Sequence, residues 1–169
     1  NTCKQQQRNR NDGYFANDDA SHLCVVLFPQ LTSLPNFSQP DDYHQFAASC
    51  IMNVRIDSTH RIGVISDTHR LSRQEAVTAL KNVDHIIHAG DIGLPTVIDG
   101  LRAISPVTAI RGNVDSGDWV RNYPETAAVE LFGAAIYVIH DLKNLDLDPV
   151  GAGFRVVISG HSHSASQET

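Results

Sequence analysis

From Arg61 onward the chain alternates between short apolar runs and stretches with apolar residues at helical spacing. RIGVIS, residues 61–66, is a continuous apolar run ending in a polar loop, the pattern of a strand buried in a parallel sheet. Ser72 and Glu75 form an S-x-x-E capping box, and Ala76, Val77 and Leu80 give the apolar face of the helix behind it. HIIHAG, residues 85–90, is the second strand. Pro95 suits the first turn of a helix, with Val97, Ile98, Leu101 and Ile104 at helical spacing and Ser105-Pro106 as its stop. VTAIRG, residues 107–112, is the third strand. Residues 127–140 read as two strands around a tight turn at Phe132-Gly133, and RVVISG, residues 155–160, is the last strand. No internal repeat interrupts this order.

Residues 1–60 are a different kind of sequence, rich in Asn, Gln, Asp and Ser with no sustained period. They are expected to be a largely disordered or unrelated extension with one short strand near 24–28. The organised core is expected over 61–169. The chain begins with Asn, and its one methionine, Met52, lies just ahead of the core, as an extra leading piece would give.

A length of 169 residues suits one domain with an appendage, and 41% hydrophobic against 19% charged residues is enough for one core. The formal net charge is -6. Residues 1–60 hold four basic and six acidic side chains and the rest nine and thirteen, so neither part is basic. That argues against tight non-specific binding to duplex nucleic acid. It leaves room for a small phosphorylated substrate whose charge is met locally by metal ions. Cys3, Cys24 and Cys50 form neither a disulfide framework nor a CxxC pair. The longest apolar run, 23–29, is too short to span a bilayer and lacks the flanks of a secretory signal. A soluble, cytoplasmic protein without a membrane partner is expected, and nothing in the sequence sets its oligomeric state.

Charge and composition matter less than the residues at the end of each strand. RIGVIS runs into Asp67-Thr68-His69 and HIIHAG into Asp91. The third strand leads to Gly112-Asn113-Val114-Asp115, the hairpin to His140, and the last strand to His161-Ser162-His163. A single D-x-H, GD or H-x-H is a weak signal; each is more often a turn or a polar loop. Their order and placement are stronger, because the carboxyl ends of neighbouring strands line one edge of an open sheet, where ligands bind. The donors are all oxygen and nitrogen, which suits Mn, Fe, Ni or Zn and not a thiolate site.

The ordered set SDTH, HAGD, RGNVD, VIHD, SGHSH resembles the calcineurin-like metallophosphoesterase superfamily, most closely its small phosphodiesterases of the YfcE type. The resemblance covers residues 61–164. It implies an α/β fold: a metallophosphoesterase-type β-sandwich flanked by helices in α/β/β/α layers. It also implies hydrolysis of phosphodiesters at a dinuclear centre with a bridging hydroxide nucleophile. The cofactors implied are two divalent ions, manganese first, with nickel, iron or zinc as alternatives. By the same resemblance Asp67, His69 and His163 hold one ion, and Asn113, His140 and His161 the other. Asp91 bridges them, and Asp91, Asn113 and His69 are the catalytic residues. Two cations roughly 3.5–4 Å apart can activate a shared water and clamp both the attacking and leaving oxygens of an in-line displacement.

Three neighbours extend the site. Asp115 resembles the acidic residue that supports Asn113. His88 either orients Asp91 or is a satisfied core histidine. Arg111 either reaches substrate phosphate or, as is commoner, makes a structural ion pair. Three departures from the superfamily pattern stand out. Val114 replaces a His that protonates the leaving group, and Arg70 replaces a Gly after D-x-H. Thr169 ends the chain just past GHSH, where relatives continue. The last strands of the second sheet are therefore expected to be missing, leaving an exposed edge. The alternatives to an enzyme are a non-catalytic scaffold on the same fold or an inactive fragment, and metal content separates them.

Overall fold

The computed structural model describes residues 24–27, 43–46, 49–55, 59–70, 74–161 and 166–168. They form two five-stranded sheets. The first contains β2 (Tyr43–Phe46), β3 (Ser49–Arg55), β4 (Arg61–Ser66), β5 (His85–Ala89) and β6 (Val107–Ile110), side by side in that order. The second contains β1 (Cys24–Leu27), β7 (Thr126–Leu131), β8 (Ala134–Ile139), β9 (Val156–Ser159) and β10 (Ser166–Glu168), in the order β10-β1-β9-β8-β7. Two helices, α1 (Gln74–Ala79) and α2 (Pro95–Arg102), connect β4 to β5 and β5 to β6. Those crossovers allow β4, β5 and β6 to pair in parallel. Among the described residues no helix is long and apolar enough to cross a membrane.

The apolar runs are continuous because both faces of the first sheet are covered. Ile62 and Val64 of β4 and Ile87 and Ala89 of β5 face Ile136, Val138 and Ile158 of the second sheet. On the other face, Ile65 and Ile86 pack with Ala76 and Leu80 and with Val97, Ile98 and Leu101. This is a mixed α/β sandwich of the metallophosphoesterase type, as the motifs implied, with α1 and α2 on the outer face of the first sheet. The hairpin turn is where the sequence puts it. Phe132 (φ 53°) and Gly133 (φ 77°) both have positive φ, as a two-residue turn between twisted strands requires. Helix α2 starts at Pro95 but ends at Arg102, short of Ile104, in a turn closed by the Ile104 N–H on the Leu101 carbonyl (2.9 Å). Ser72, the expected cap of α1, lies outside the described residues.

Two expectations need correction. The organised region does not begin at Arg61: β3 pairs antiparallel with all of β4, from Cys50 opposite Ser66 to Arg55 opposite Arg61. Val54 is buried between the sheets. The run SCIMNVR shows no clean alternation, and its strand character comes from pairing rather than local pattern. Nor is the edge of β9 left open, because the short strand expected near 24–28 is β1, which pairs antiparallel with it.

Candidate metal centre

The loops after β4, β5, β6, β8 and β9 meet at one edge of the sandwich. Those after β4 and β5 are laced together by backbone hydrogen bonds. Asp67 N–H donates to Gly90 O (3.0 Å), His69 N–H to Asp91 O (3.1 Å) and Arg70 N–H to Ile92 O (3.1 Å). Asp67, His69, Asp91 and His161 all have positive φ, between 44° and 65°. Non-glycine residues hold that conformation at about 1–3 kcal/mol each, which the surrounding lattice of hydrogen bonds must offset. Crowding explains the glycines of GD and GN. A Cβ on Gly90 would lie 2.5 Å from His140 Nδ1, and one on Gly112 would collide with Asp91 Oδ1.

Buried and half-buried polar side chains lock these loops. Asp115 accepts from the backbone N–H groups of Gly93 (2.6 Å), Gly112 (2.9 Å) and Ile92 (3.0 Å), tying the Asp91 loop to the Asn113 loop. It supports the Asn113 loop through its backbone. His88 is fully buried and bridges the first two loops. Gly90 N–H donates to its Nδ1 (3.3 Å), so the ring proton sits on Nε2 and goes to Thr68 Oγ1 (3.0 Å). The Thr68 hydroxyl in turn donates to Ile92 O (3.0 Å). Burial, then the neighbouring His140, lowers the His88 pKa to about 3, so the ring is neutral. His88 thus positions the Asp91 loop from beneath. Arg111 pairs with Glu125 (2.7 Å) and donates to Tyr123 O (3.1 Å), the structural role.

Above this frame the donor atoms converge. A carbonyl only accepts, so His140 Nδ1 must donate to Ala89 O (2.8 Å), and in the neutral ring Nε2 carries a lone pair. That lone pair lies 3.0 Å from Asn113 Oδ1 and 3.4 Å from Asp91 Oδ2, neither of which has a proton to give. His161 Nδ1 is also 3.0 Å from Asn113 Oδ1, while its Nε2 faces Asp141 Oδ2 at 3.7 Å. Asp67 is fully buried. Its Oδ2 accepts from Ser66 Oγ (2.5 Å) and His161 N–H (3.3 Å), but its Oδ1 has no hydrogen-bond partner. Ligand atoms of Asp67, Asp91 and His140 lie within 4.8 Å of one another.

Two carboxylates crowded among lone-pair donors, with the buried Asp67 Oδ1 unpartnered, call for a positive charge, and the titration tendencies agree. Burial pushes the Asp91 carboxyl up, but hydrogen bonds from His140 and the Val114 N–H (3.1 Å), with the charge of His69 nearby, outweigh it and hold it below the ordinary range. Burial pushes His140 down, yet its contact with Asp91 leaves it raised. A proton on His140 meets part of the demand. Divalent cations suit the whole set, because the atoms are hard oxygen and imidazole nitrogen donors.

Five of the seven expected ligands, Asp67, Asp91, Asn113, His140 and His161, thus lie together through side-chain atoms. His69 sits beside them through its backbone bond to Asp91, and its side chain is exposed. His163 lies outside the described residues. Sequence reasoning assigned no role to Thr68 or Asp141, although both stand inside the quoted motifs. Their signal was adjacency to a ligand, as the middle of D-x-H and as the residue after His140.

Residues 61–169 match the calcineurin-like phosphoesterase superfamily domain. A probable metallophosphoesterase of Methanocaldococcus jannaschii is 34% identical over 122 residues, covering 64% of this chain and 62% of that protein. One of Methanothermobacter thermautotrophicus is 32% identical over 114 residues, covering 60% and 66%. This chain therefore spans less than two thirds of either relative. Among solved structures, Vps29 of Chaetomium thermophilum aligns with a TM-score of 0.43 at 20% identity, over 53% of this chain and 50% of that one.

Proposed function

Because the chain belongs to the calcineurin-like phosphoesterase superfamily, we propose that it is a metal-dependent phosphoesterase that hydrolyses phosphodiesters with two divalent ions. The observation that carries this reading is the convergence of hard oxygen and imidazole ligand atoms from Asp67, Asp91, Asn113, His140 and His161, with the buried Asp67 Oδ1 left without a hydrogen-bond partner. Asp67 and His69, with His163 by the resemblance, would hold one ion and Asn113, His140 and His161 the other, and Asp91 would serve both. Manganese is the first choice for such donors. When bound, the ions supply Lewis acidity, activating a water and neutralising charge on the phosphoryl oxygens.

The chain's own residues do the rest. Ala89 O fixes the His140 tautomer so that Nε2 faces inward. The Val114 N–H holds one oxygen of Asp91 and leaves the other facing His140. As ligands, Asn113, His140 and His161 add no negative charge to the two carboxylates, so a loaded site would stay positive towards a small anionic substrate. Hydrogen bonds through Thr68, His88 and Asp115 hold the loops in place before any ligand arrives, which limits the reorganisation that binding requires.

The test is metal analysis of the purified chain, combined with an assay on an aryl phosphodiester with and without Mn²⁺. About two ions per chain and strictly metal-dependent turnover are expected. A chain that takes up no metal at any pH up to 8 would instead be a scaffold on this fold.

A further inference from the structure

One cation at the rim of this site is not accounted for by the ligand set. Arg70 follows Asp67-Thr68-His69, and its backbone N–H forms the third rung of the lacing, to Ile92 O at 3.1 Å. Its φ is 78°, a conformation that glycine adopts freely and a long side chain rarely does. A Cβ on Gly93 would lie 2.7 Å from Arg70 Cγ and 2.9 Å from the His69 carbonyl carbon. The stem of Arg70 therefore crosses Gly93, in the loop that carries Asp91, and the residue is exposed there.

The other arginines on the described surface have evident work, except Arg61, which stands at the opposite end of β4 from this site. Arg102, Arg111 and Arg121 pair with Asp99, Glu125 and Asp118, and Arg155 donates to Gly133 O. Among the described residues the Arg70 guanidinium has neither an ion pair nor a hydrogen bond. Strained backbone thus carries this guanidinium one residue after His69, with its stem across Gly93 in the loop that holds Asp91. A guanidinium is a planar fork of donors that matches two phosphate oxygens at once.

We propose that Arg70 is a specificity-determining residue that grips the non-bridging oxygens of the substrate's phosphoryl group. The inference rests on the phosphoesterase reading. Such a grip acts on substrate and transition state alike, so its loss shows mainly in KM.

The experiment compares wild type, Arg70→Gly and Arg70→Lys by calorimetric titration, first with Mn²⁺ and then with inorganic phosphate on the Mn²⁺-loaded protein. Glycine suits the positive φ, so Arg70→Gly should fold as well as wild type. It should bind Mn²⁺ with unchanged stoichiometry and affinity, and phosphate roughly tenfold more weakly. Arg70→Lys should fall between, since an ammonium keeps the charge and loses the fork. KM for an aryl phosphodiester should rise with the phosphate constant while kcat changes less. Equal phosphate affinity in wild type and Arg70→Gly, with Mn²⁺ bound to both, overturns the role of Arg70 and leaves the phosphoesterase reading standing. Loss of Mn²⁺ binding in Arg70→Gly also overturns it, by making the residue structural. Wild type that takes up no Mn²⁺ overturns both.

Discussion

His140 Nδ1 donates to the backbone carbonyl of Ala89 at 2.8 Å, a hydrogen bond between residues 51 positions apart. It directs the ring's other nitrogen at Asp91 and Asn113, and Asp91 then raises the proton affinity of that nitrogen above its ordinary value despite burial. A proton and a metal ion compete for the same lone pair. The raised pKa means that the proton holds on to a pH above 6.5, so metal uptake should improve as pH rises through that region and fail below it. Activity should fall on the acid side, and excess Mn²⁺ should move the acid limb to lower pH. The shift should be about one unit per tenfold rise in metal if one proton leaves per ion bound. A limb that ignores Mn²⁺ concentration would count against His140 as a ligand.

Asp91 is the residue whose loss should matter most. Its Oδ1 is held by the Val114 N–H and its Oδ2 faces His140, so Asn in its place keeps the shape and loses the charge. Asp91→Asn should abolish hydrolysis and release more metal than Asp67→Asn. The loss of metal affinity should exceed the ~10–100-fold that removal of a supporting partner brings. Metal content after dialysis is the readout. The assignment is wrong if Asp91→Asn stays active while Asp67→Asn does not.

The site was more legible in the sequence than the fold around it. Asp67, Asp91, Asn113, His140 and His161 follow strands whose apolar runs announce themselves, and each stands in a short motif with fixed spacing. Asp115 was expected to support Asn113, but not the means, since three backbone N–H groups from two loops reach it only after folding. On the N-terminal side β3 was missed, and β1, though expected as a short strand, was not foreseen as the partner of β9, for a related reason. Strands β3 and β1 carry no strong period of their own, and register with a distant strand is what makes them strands.

The corrected boundary has a direct test in Val54. Its side chain is 2% exposed, between the sheets with Ile62 and Val64. Val54→Ala removes two methyl groups from that interface and should destabilise the chain by about 2 kcal/mol, counting transfer and residual cavity. Urea unfolding would show it. A change within about 0.5 kcal/mol, the range of ordinary surface substitutions, would restore the boundary at Arg61.

His88 gives the metal-free fold a pH dependence of predictable sign. Its pKa is about 3 in the folded chain against 6.5 when free. Between those values the unfolded chain binds a proton that the folded chain does not, so stability rises with pH across this window. It is lost as pH falls from 6.5 towards 3, by at most ~1.4 kcal/mol per pH unit from this one ring. His88→Gln removes the titration and keeps a donor for Thr68. It should be less stable than wild type at pH 7, and its unfolding free energy should fall less between pH 6.5 and 5. Parallel slopes for the two proteins would mean that His88 is protonated in the fold.

Val114 bears on which esters are cleaved. It contributes its backbone N–H to Asp91 Oδ1, and its side chain, 51% exposed, stands where related phosphatases place a proton-donating His. The leaving group must then depart with little protonation by the chain. General acid assistance is typically worth ~10²–10⁴-fold, and its absence falls hardest on basic alkoxide leaving groups. A diester also carries one negative charge rather than two, and asks less neutralisation of a site built on Asp67 and Asp91. The expected order is therefore aryl phosphodiesters well above alkyl phosphomonoesters. Val114→His should raise rates on poor leaving groups more than on good ones, flattening the dependence of log kcat/KM on leaving-group pKa. A short series of esters assayed with Mn²⁺ on both proteins measures the two slopes. Equal slopes would mean that another residue already supplies the proton, with His69, exposed at the same rim, the first to replace.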